Sequence, residues 1–169
     1  MIICVTSPVK EHHKAWLESA AGGYELCFGR DGLEQADVII VDLGPAYLAP
    51  EKNLNWFNLV WAGADLYNAS DFPAGAKFTN GSGAYGVMIA EHMMACMLSM
   101  VRQLPHYAEN QKRRLWDQRW TEGTLEGKTV LILGAGDIGT ELARRLMGFD
   151  CTILGVRRTG ADSPYFDEV

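Results

Sequence analysis

Cysteine is sparse in this sequence and poorly placed for cross-linking. Cys4, Cys27, Cys96 and Cys151 lie far apart, form no CxxC pair and sit in apolar runs. That pattern excludes a disulfide framework and a thiolate metal centre, and predicts buried thiols in a reducing compartment with no metal site. Positive charge is also in deficit. With 15 Lys and Arg against 21 Asp and Glu, the net charge of −6 disfavours nucleic acid or an anionic membrane as the main partner. The one local basic cluster, Lys112, Arg113, Arg114 and Arg119, reads as a solvated helix face. An uninterrupted apolar span is missing as well: the longest apolar stretch, Tyr85 to Leu104, contains Glu91, His92 and Arg102, which predicts a buried helix rather than a membrane crossing. No signal-peptide pattern precedes the first apolar run, so the expected location is cytoplasmic.

What the chain does have is one strongly patterned stretch, Thr129 to Thr159. An apolar run, Val130 to Leu133, meets the glycine pattern Gly134-Ala135-Gly136-Asp137-Ile138-Gly139. A helical period follows, with Ile138, Leu142, Ala143, Leu146 and Met147 on one face and Arg144 and Arg145 on another. Gly148 breaks it, and Cys151 to Val156 reads as a second strand. In such a strand-turn-helix the first glycine makes the turn, the second lets backbone approach a pyrophosphate, and the third lets the helix sit close to the strand. Free N–H groups and the positive end of the helix dipole then meet the phosphates. At the end of the second strand, where NAD-selective proteins place an acid for the ribose hydroxyls, this chain has Arg157-Arg158-Thr159. Two cations there suit a 2′-phosphate, so NADP is the expected cofactor, with NAD possible. The alternative for the arginine pair is a solvated strand end.

Upstream, short strands alternate with short helices. Strands are predicted at residues 2–5, 24–28, 37–42, 58–61 and 76–79. Helical pieces are predicted at Lys10 to Ala20, with Trp16 and Leu17 inward, at Leu33 to Ala36, and at Pro50 to Trp56. This alternation predicts a small doubly wound sheet. Past Asn80-Gly81-Ser82-Gly83 comes one long helix, Tyr85 to Leu104, apolar nearly all round and rich in Met. It reads either as core or as a dimer or interdomain helix. Pro105 ends or kinks it, and His106 to Trp120 reads as a charged helix anchored by Trp116 and Trp120. The expected organisation is residues 1–100 with the long helix, a connecting segment 101–125, and a nucleotide unit 126–169.

Four blocks in order carry a family resemblance: Trp61-Ala62-Gly63-Ala64-Asp65, Thr79-Asn80-Gly81-Ser82-Gly83-Ala84-Tyr85-Gly86, Ala90-Glu91-His92, and Leu125-Glu126-Gly127-Lys128 leading into the glycine turn. With them the chain resembles the D-isomer-specific 2-hydroxyacid dehydrogenases, the family of glyoxylate/hydroxypyruvate reductase and phosphoglycerate dehydrogenase. The resemblance implies an α/β fold: a flavodoxin-like substrate domain followed by the first βαβ unit of a Rossmann NAD(P)-binding domain. It implies hydride transfer between a nicotinamide cofactor and a small 2-keto or 2-hydroxy acid, and a homodimer through the Tyr85 to Leu104 helix. Ala62 and Gly63 match the loop whose N–H groups hold the substrate carboxylate, an arrangement that suits an anion; read without the resemblance, Gly63 is a turn glycine. Gly134, Gly136, Asp137, Ile138 and Gly139 match the pyrophosphate turn, with Asp137 standing where a basic residue is common. Arg157 falls on the family's usual acid.

The resemblance also exposes an absence. The Arg that orients the keto acid, the His that donates the proton and the Glu behind it come, in the family, from a later half of the cofactor domain that this sequence does not contain. His12, His13, His92 and His106 lie outside the matching region and read as surface or packing histidines, so no catalytic residue is expected in this chain. Two readings follow. The chain is a piece of a dehydrogenase, inactive alone; or it is a non-catalytic relative of the substrate domain that dimerises or binds a ligand. An incomplete βαβ unit with uncovered apolar faces favours the first.

Overall fold

The computed structural model describes residues 1–41, 44–45, 53–117, 123–158 and 163–169. By contacts between backbones the chain divides into two compact units, residues 1–82 and 83–169.

The first unit is built on five short parallel strands: β1 (Ile2–Val5), β2 (Glu25–Phe28), β3 (Val38–Val41), β4 (Trp56–Leu59) and β5 (Lys77–Thr79). Their order across the sheet is β2-β1-β3-β4-β5, that of a flavodoxin-like doubly wound fold. Register is set by the apolar residues, with Ile3 opposite Val38, Ile39 opposite Phe57 and Phe57 opposite Phe78. The core gathers Cys4, Leu33, Ala36, Ile39, Leu54, Phe57 and Leu59. Phe57 is fully buried and sits within 5.2–5.8 Å, ring centre to ring centre, of Tyr67, Phe72 and Phe78. Such aromatic packing ties the segment after β4 back onto the sheet. A short 3-10 turn in that segment, Ala69–Asp71, is closed by a capping box between Asn68 and Asp71.

Several local expectations need correcting in this unit. Helix α1 spans Glu11–Ala20, but Trp16 faces solvent at 72% exposure and only Leu17 is half-buried. Adjacent helical residues point about 100° apart, so the two cannot share one inward direction. The helix expected at Pro50 to Trp56 is absent over 53–56; its first residues, 50–52, lie outside the described ones. Trp56 instead opens β4, which starts two residues earlier than the expected 58–61, because its backbone already pairs with Val38 of β3 and Lys77 of β5; its indole N–H also donates to Thr79 Oγ1 at 2.8 Å.

In the second unit, α2 (Gly86–Val101) is followed closely by α3 (Leu104–Lys112), so the helix expected from Tyr85 to Leu104 stops at Val101 and the charged helix expected from His106 starts at Leu104. The break falls at Gln103, which takes a left-handed conformation (φ 53°). Pro105 does not end the first helix. It sits in the first turn of the second, where its missing N–H has no partner to lose. Nor is α2 buried all round: Gly86, Ala90 and Met94, four apart, form its buried stripe, while Met88 and Met100 are exposed. Trp116, expected as an anchor, is exposed, and Trp120 lies outside the described residues.

The glycine-patterned stretch folds as expected into β6 (Thr129–Leu133), α4 (Asp137–Leu146) and β7 (Thr152–Val156), with β6 and β7 parallel. Helix α4 packs on α2, and their shared core contains Ala90, Met94, Ile132, Leu142, Ala143, Leu146 and Ile153. Ile138 and Met147, assigned by periodicity to the same face, stay partly exposed at its two ends. Because α2 packs here, it belongs with residues 83–169; the sequence had placed the boundary after it, in 101–125. A further strand-like pairing was not anticipated. Gly155 N–H donates to Glu168 O and Asp167 N–H to Ile153 O, both at 2.8 Å, so the tail runs parallel along the free edge of β7.

Candidate functional site

The glycine turn between β6 and α4 has the geometry its spacing demands, and each glycine has its own reason. Gly134 is left-handed at φ 110°, and its N–H and that of Ala135 both bond to Val156 O at 2.9 and 3.0 Å, which closes the turn against β7. Gly136 precedes α4, and a side-chain carbon built on it meets nothing within 4 Å. Gly139 is buried inside the unit. A Cβ there would lie 2.1 Å from Gly134 O and 3.1 Å from Ile132 Cγ2, so only glycine lets α4 rest on β6.

The turn therefore leaves open space in front of Gly134 and Gly136. The first N–H groups of α4 face no backbone acceptor of their own helix, which makes this end of the helix suited to an anion. The crevice, about 540 Å³, is lined by Gly134, Ala135, Gly136, Val156, Arg157 and Arg158. Both arginines are exposed at the end of β7. Thr159, the third residue expected there, lies outside the described residues. A dinucleotide fits this donor set: backbone approach is unobstructed at the glycines, and positive charge lies at the strand end.

Asp137 and Ile138 occupy the first turn of α4. The Asp137 carboxylate is directed at the first turn of α2, where a Cβ on Gly86 would lie 2.8 Å from Oδ2. An acid in a turn suited to an anion would repel it if it leaned into the crevice. Here it meets the positive end of α2 instead. Periodicity along one helix could not reveal this contact, since it joins residues 51 positions apart. The same two helices are bridged by charge: Glu141 accepts from Arg144 Nη2 at 2.8 Å and from Arg145 Nη1, while Arg145 Nη2 reaches Glu91 Oε1 at 3.4 Å. The hydrogen bonds from Arg144 and Arg145 hold the Glu141 carboxyl below its usual range, and Glu141 raises that of Arg145.

In the first unit, Ala62 and Gly63 lie in the exposed loop after β4. Gly63 does not take a left-handed φ. The loop is gripped by the segment after β5: Asn80 Nδ2 donates to Ala62 O at 2.7 Å, and Gly81 N–H donates to Trp61 O at 2.8 Å. The approach is so close that a Cβ on Gly81 would lie 2.4 Å from Val60 O. Among the described residues, no hydrogen bond is donated by the N–H of Ala62 or Gly63.

The remaining candidates behave as structural groups. His106 Nε2 lies 2.8 Å from Asn110 Nδ2 and 3.1 Å from Asp117 Oδ2, in a polar cluster around the buried Asn110. All four cysteines are free. Burial, then the neighbouring Cys27, pushes the Cys4 thiol up to about 12. Cys96 is exposed, against the expectation of buried thiols. Among the described residues no cluster of His, Cys, Asp and Glu could hold a metal, and no helix is long and apolar enough to cross a membrane.

A glycine turn that links two parallel strands through a helix is the form of a dinucleotide-binding unit. Residues 94–168 match the model of the "D-isomer specific 2-hydroxyacid dehydrogenase, NAD binding domain". The chain resembles a D-isomer specific 2-hydroxyacid dehydrogenase family protein from Aeromonas salmonicida, at 29% identity and a TM-score of 0.86, over 99% of this chain and 56% of that one. It is 34% identical over 131 residues to a formate dehydrogenase of Chaetomium thermophilum, covering 70% of this chain and 35% of the relative. It is 33% identical over 128 residues to a hydroxypyruvate reductase of Thermotoga maritima, covering 72% and 42%. The chain is thus similar to the D-isomer specific 2-hydroxyacid dehydrogenases, with its residues 94–168 matching the model of their NAD-binding domain. It spans between about a third and about two fifths of the length of these two curated relatives.

Proposed function

We propose that this chain supplies the carboxylate-binding loop and the pyrophosphate-binding turn of a 2-hydroxyacid dehydrogenase, an oxidoreductase acting between a nicotinamide cofactor and a small 2-keto or 2-hydroxy acid. The observation that carries the reading is the open crevice at Gly134 and Gly136, set at the start of α4 and flanked by Arg157 and Arg158. When bound, the cofactor would supply the hydride. The residues of this chain bind and orient: Gly136, Asp137 and Ile138 would offer backbone N–H groups to the pyrophosphate, and Ala62 and Gly63 would offer theirs to the substrate carboxylate. Arg157 and Arg158 would add charge-assisted bonds to a 2′-phosphate, while among the described residues lining the crevice there is no carboxylate for the ribose hydroxyls of NAD, so NADP is the favoured cofactor.

The proton donor is not among these groups, and the chain alone is proposed to be inactive. The exposed methionines of α2 support association of two copies through that helix, and the reduced cysteines suit the cytoplasm. Titration of the purified chain with NADPH and NADH, followed by nucleotide fluorescence, tests the cofactor reading. Tighter binding of NADPH by roughly tenfold or more, a difference of about 1.4 kcal/mol, is expected. Binding of neither nucleotide would remove the crevice as a cofactor site.

A further inference from the structure

We propose that Asn80 and Gly81 are positioning residues for carboxylate recognition: they set the direction of the Ala62 and Gly63 N–H groups by holding the two carbonyls on the far sides of the same peptide planes. The inference rests on the reading of residues 62 and 63 as the carboxylate loop, and assigns what makes that loop competent.

A trans peptide is planar, and its C=O and the following N–H point in opposite directions. Gly81 N–H bonds Trp61 O at 2.8 Å, which fixes the plane whose other edge is the Ala62 N–H. Asn80 Nδ2 bonds Ala62 O at 2.7 Å, which fixes the plane whose other edge is the Gly63 N–H. Two successive peptides are thus pinned from one side, and both N–H groups are turned away from the β5 segment, unspent, as a pair of donors able to converge on one anion. The amide of Asn80 is itself oriented, because its Oδ1 accepts from Ser82 N–H at 3.4 Å, leaving Nδ2 for Ala62. Gly81 admits no substitute: a side chain would meet Val60 O at 2.4 Å and push the two loops apart. Behind this clasp, the chain of bonds from Trp56 Nε1 to Thr79 Oγ1 to Asn58 Oδ1, each 2.8 Å, keeps the ends of β4 and β5 level.

The substitution that tests the effect is Asn80→Asp, which keeps size and shape but replaces the donor facing Ala62 O with an acceptor, read beside Asn80→Ala as the uncharged control because a carboxylate there would also repel glyoxylate directly. In the full chain, backbone amide resonances of Ala62 and Gly63 are followed during titration with glyoxylate, for the parent and the variant, beside a thermal melt of each. The expected result is a glyoxylate-dependent shift of both amides in the parent. In Asn80→Asp, binding is weaker by about two- to tenfold, the range one hydrogen bond commands, with an unchanged melting point and unchanged Phe57 and Phe78 amides. A parent that responds and a variant that responds equally would overturn the positioning role while leaving the carboxylate loop in place. A parent whose Ala62 and Gly63 amides ignore glyoxylate would overturn the loop assignment, and the positioning role with it. Should Asn80→Asp melt early, Asn80→Ala, which removes the donor without adding an acceptor, replaces it under the same criteria.

Discussion

The glycine turn offers a pair of substitutions with opposite expected signatures. At Gly139 an added methyl would sit 2.1 Å from the Gly134 carbonyl oxygen and 3.1 Å from Ile132 Cγ2. The first obstacle is backbone and cannot rotate away. To restore an ordinary contact of 3.4 Å, α4 must lift from the turn by about 1.3 Å, opening the core that Leu142, Ala143 and Leu146 share with α2. Overpacking of this kind costs about 1–3 kcal/mol. For a unit of this size each 1 kcal/mol lowers the midpoint by about 4–8 °C. At Gly136 the same methyl meets nothing within 4 Å, and the backbone is not left-handed, so folding should change by less than about 0.5 kcal/mol. The methyl would, however, stand where the nucleotide backbone approaches. Differential scanning fluorimetry and NADPH titration of Gly136→Ala and Gly139→Ala should therefore separate the two. Gly136→Ala is expected to melt like the parent and bind NADPH at least roughly tenfold more weakly, a loss of about 1.4 kcal/mol, whereas Gly139→Ala is expected to melt early. Equal melting of the two variants, or parent-like NADPH binding by Gly136→Ala, would refute the division of labour among the glycines.

Other expectations follow from single features. Arg157→Asp should shrink or reverse the preference for NADPH over NADH, measured as a ratio of dissociation constants; an unchanged ratio would make the arginines a solvated strand end. The chain alone should not reduce glyoxylate or hydroxypyruvate in an NADPH oxidation assay, and turnover by pure chain would mean that a proton donor has been overlooked. Light scattering should find association through α2, weakened by Met88→Lys, and a stable monomer would remove the dimer reading. Because burial holds the Cys4 thiol protonated up to about 12, the unfolded chain releases that proton first as pH rises past about 9. The contribution of Cys4 is thus complete below about pH 9 and is lost between there and about 12, and at pH 8 a thiol reagent should label Cys96 well before Cys4.

The strand-turn-helix-strand of residues 129–156 was legible in full, because its signal is local: an apolar run, three glycines at fixed spacing and a helical period specify the turn whatever surrounds it. The parallel sheet of the first unit was legible as a class, with β4 misplaced by two residues because its start depends on pairing with Val38 and Lys77, which lie far from Trp56 in sequence. The burial of α2 was misjudged for a related reason. Composition says that a helix is apolar, but only its partners decide which stripe is covered: Gly86, Ala90 and Met94 are buried, and Met93, Met97, Leu98 and Val101 are partly so. The direction of the Asp137 carboxylate toward Gly86 and the clasp of Asn80 and Gly81 on residues 61 and 62 are also tertiary facts. Each joins residues distant in sequence, and no periodicity encodes such contacts. The sequence by itself determined where backbone could bind an anion. The tertiary structure decided which N–H groups are left to do it, since a hydrogen-bonding group is free only when every neighbour in space has been accounted for.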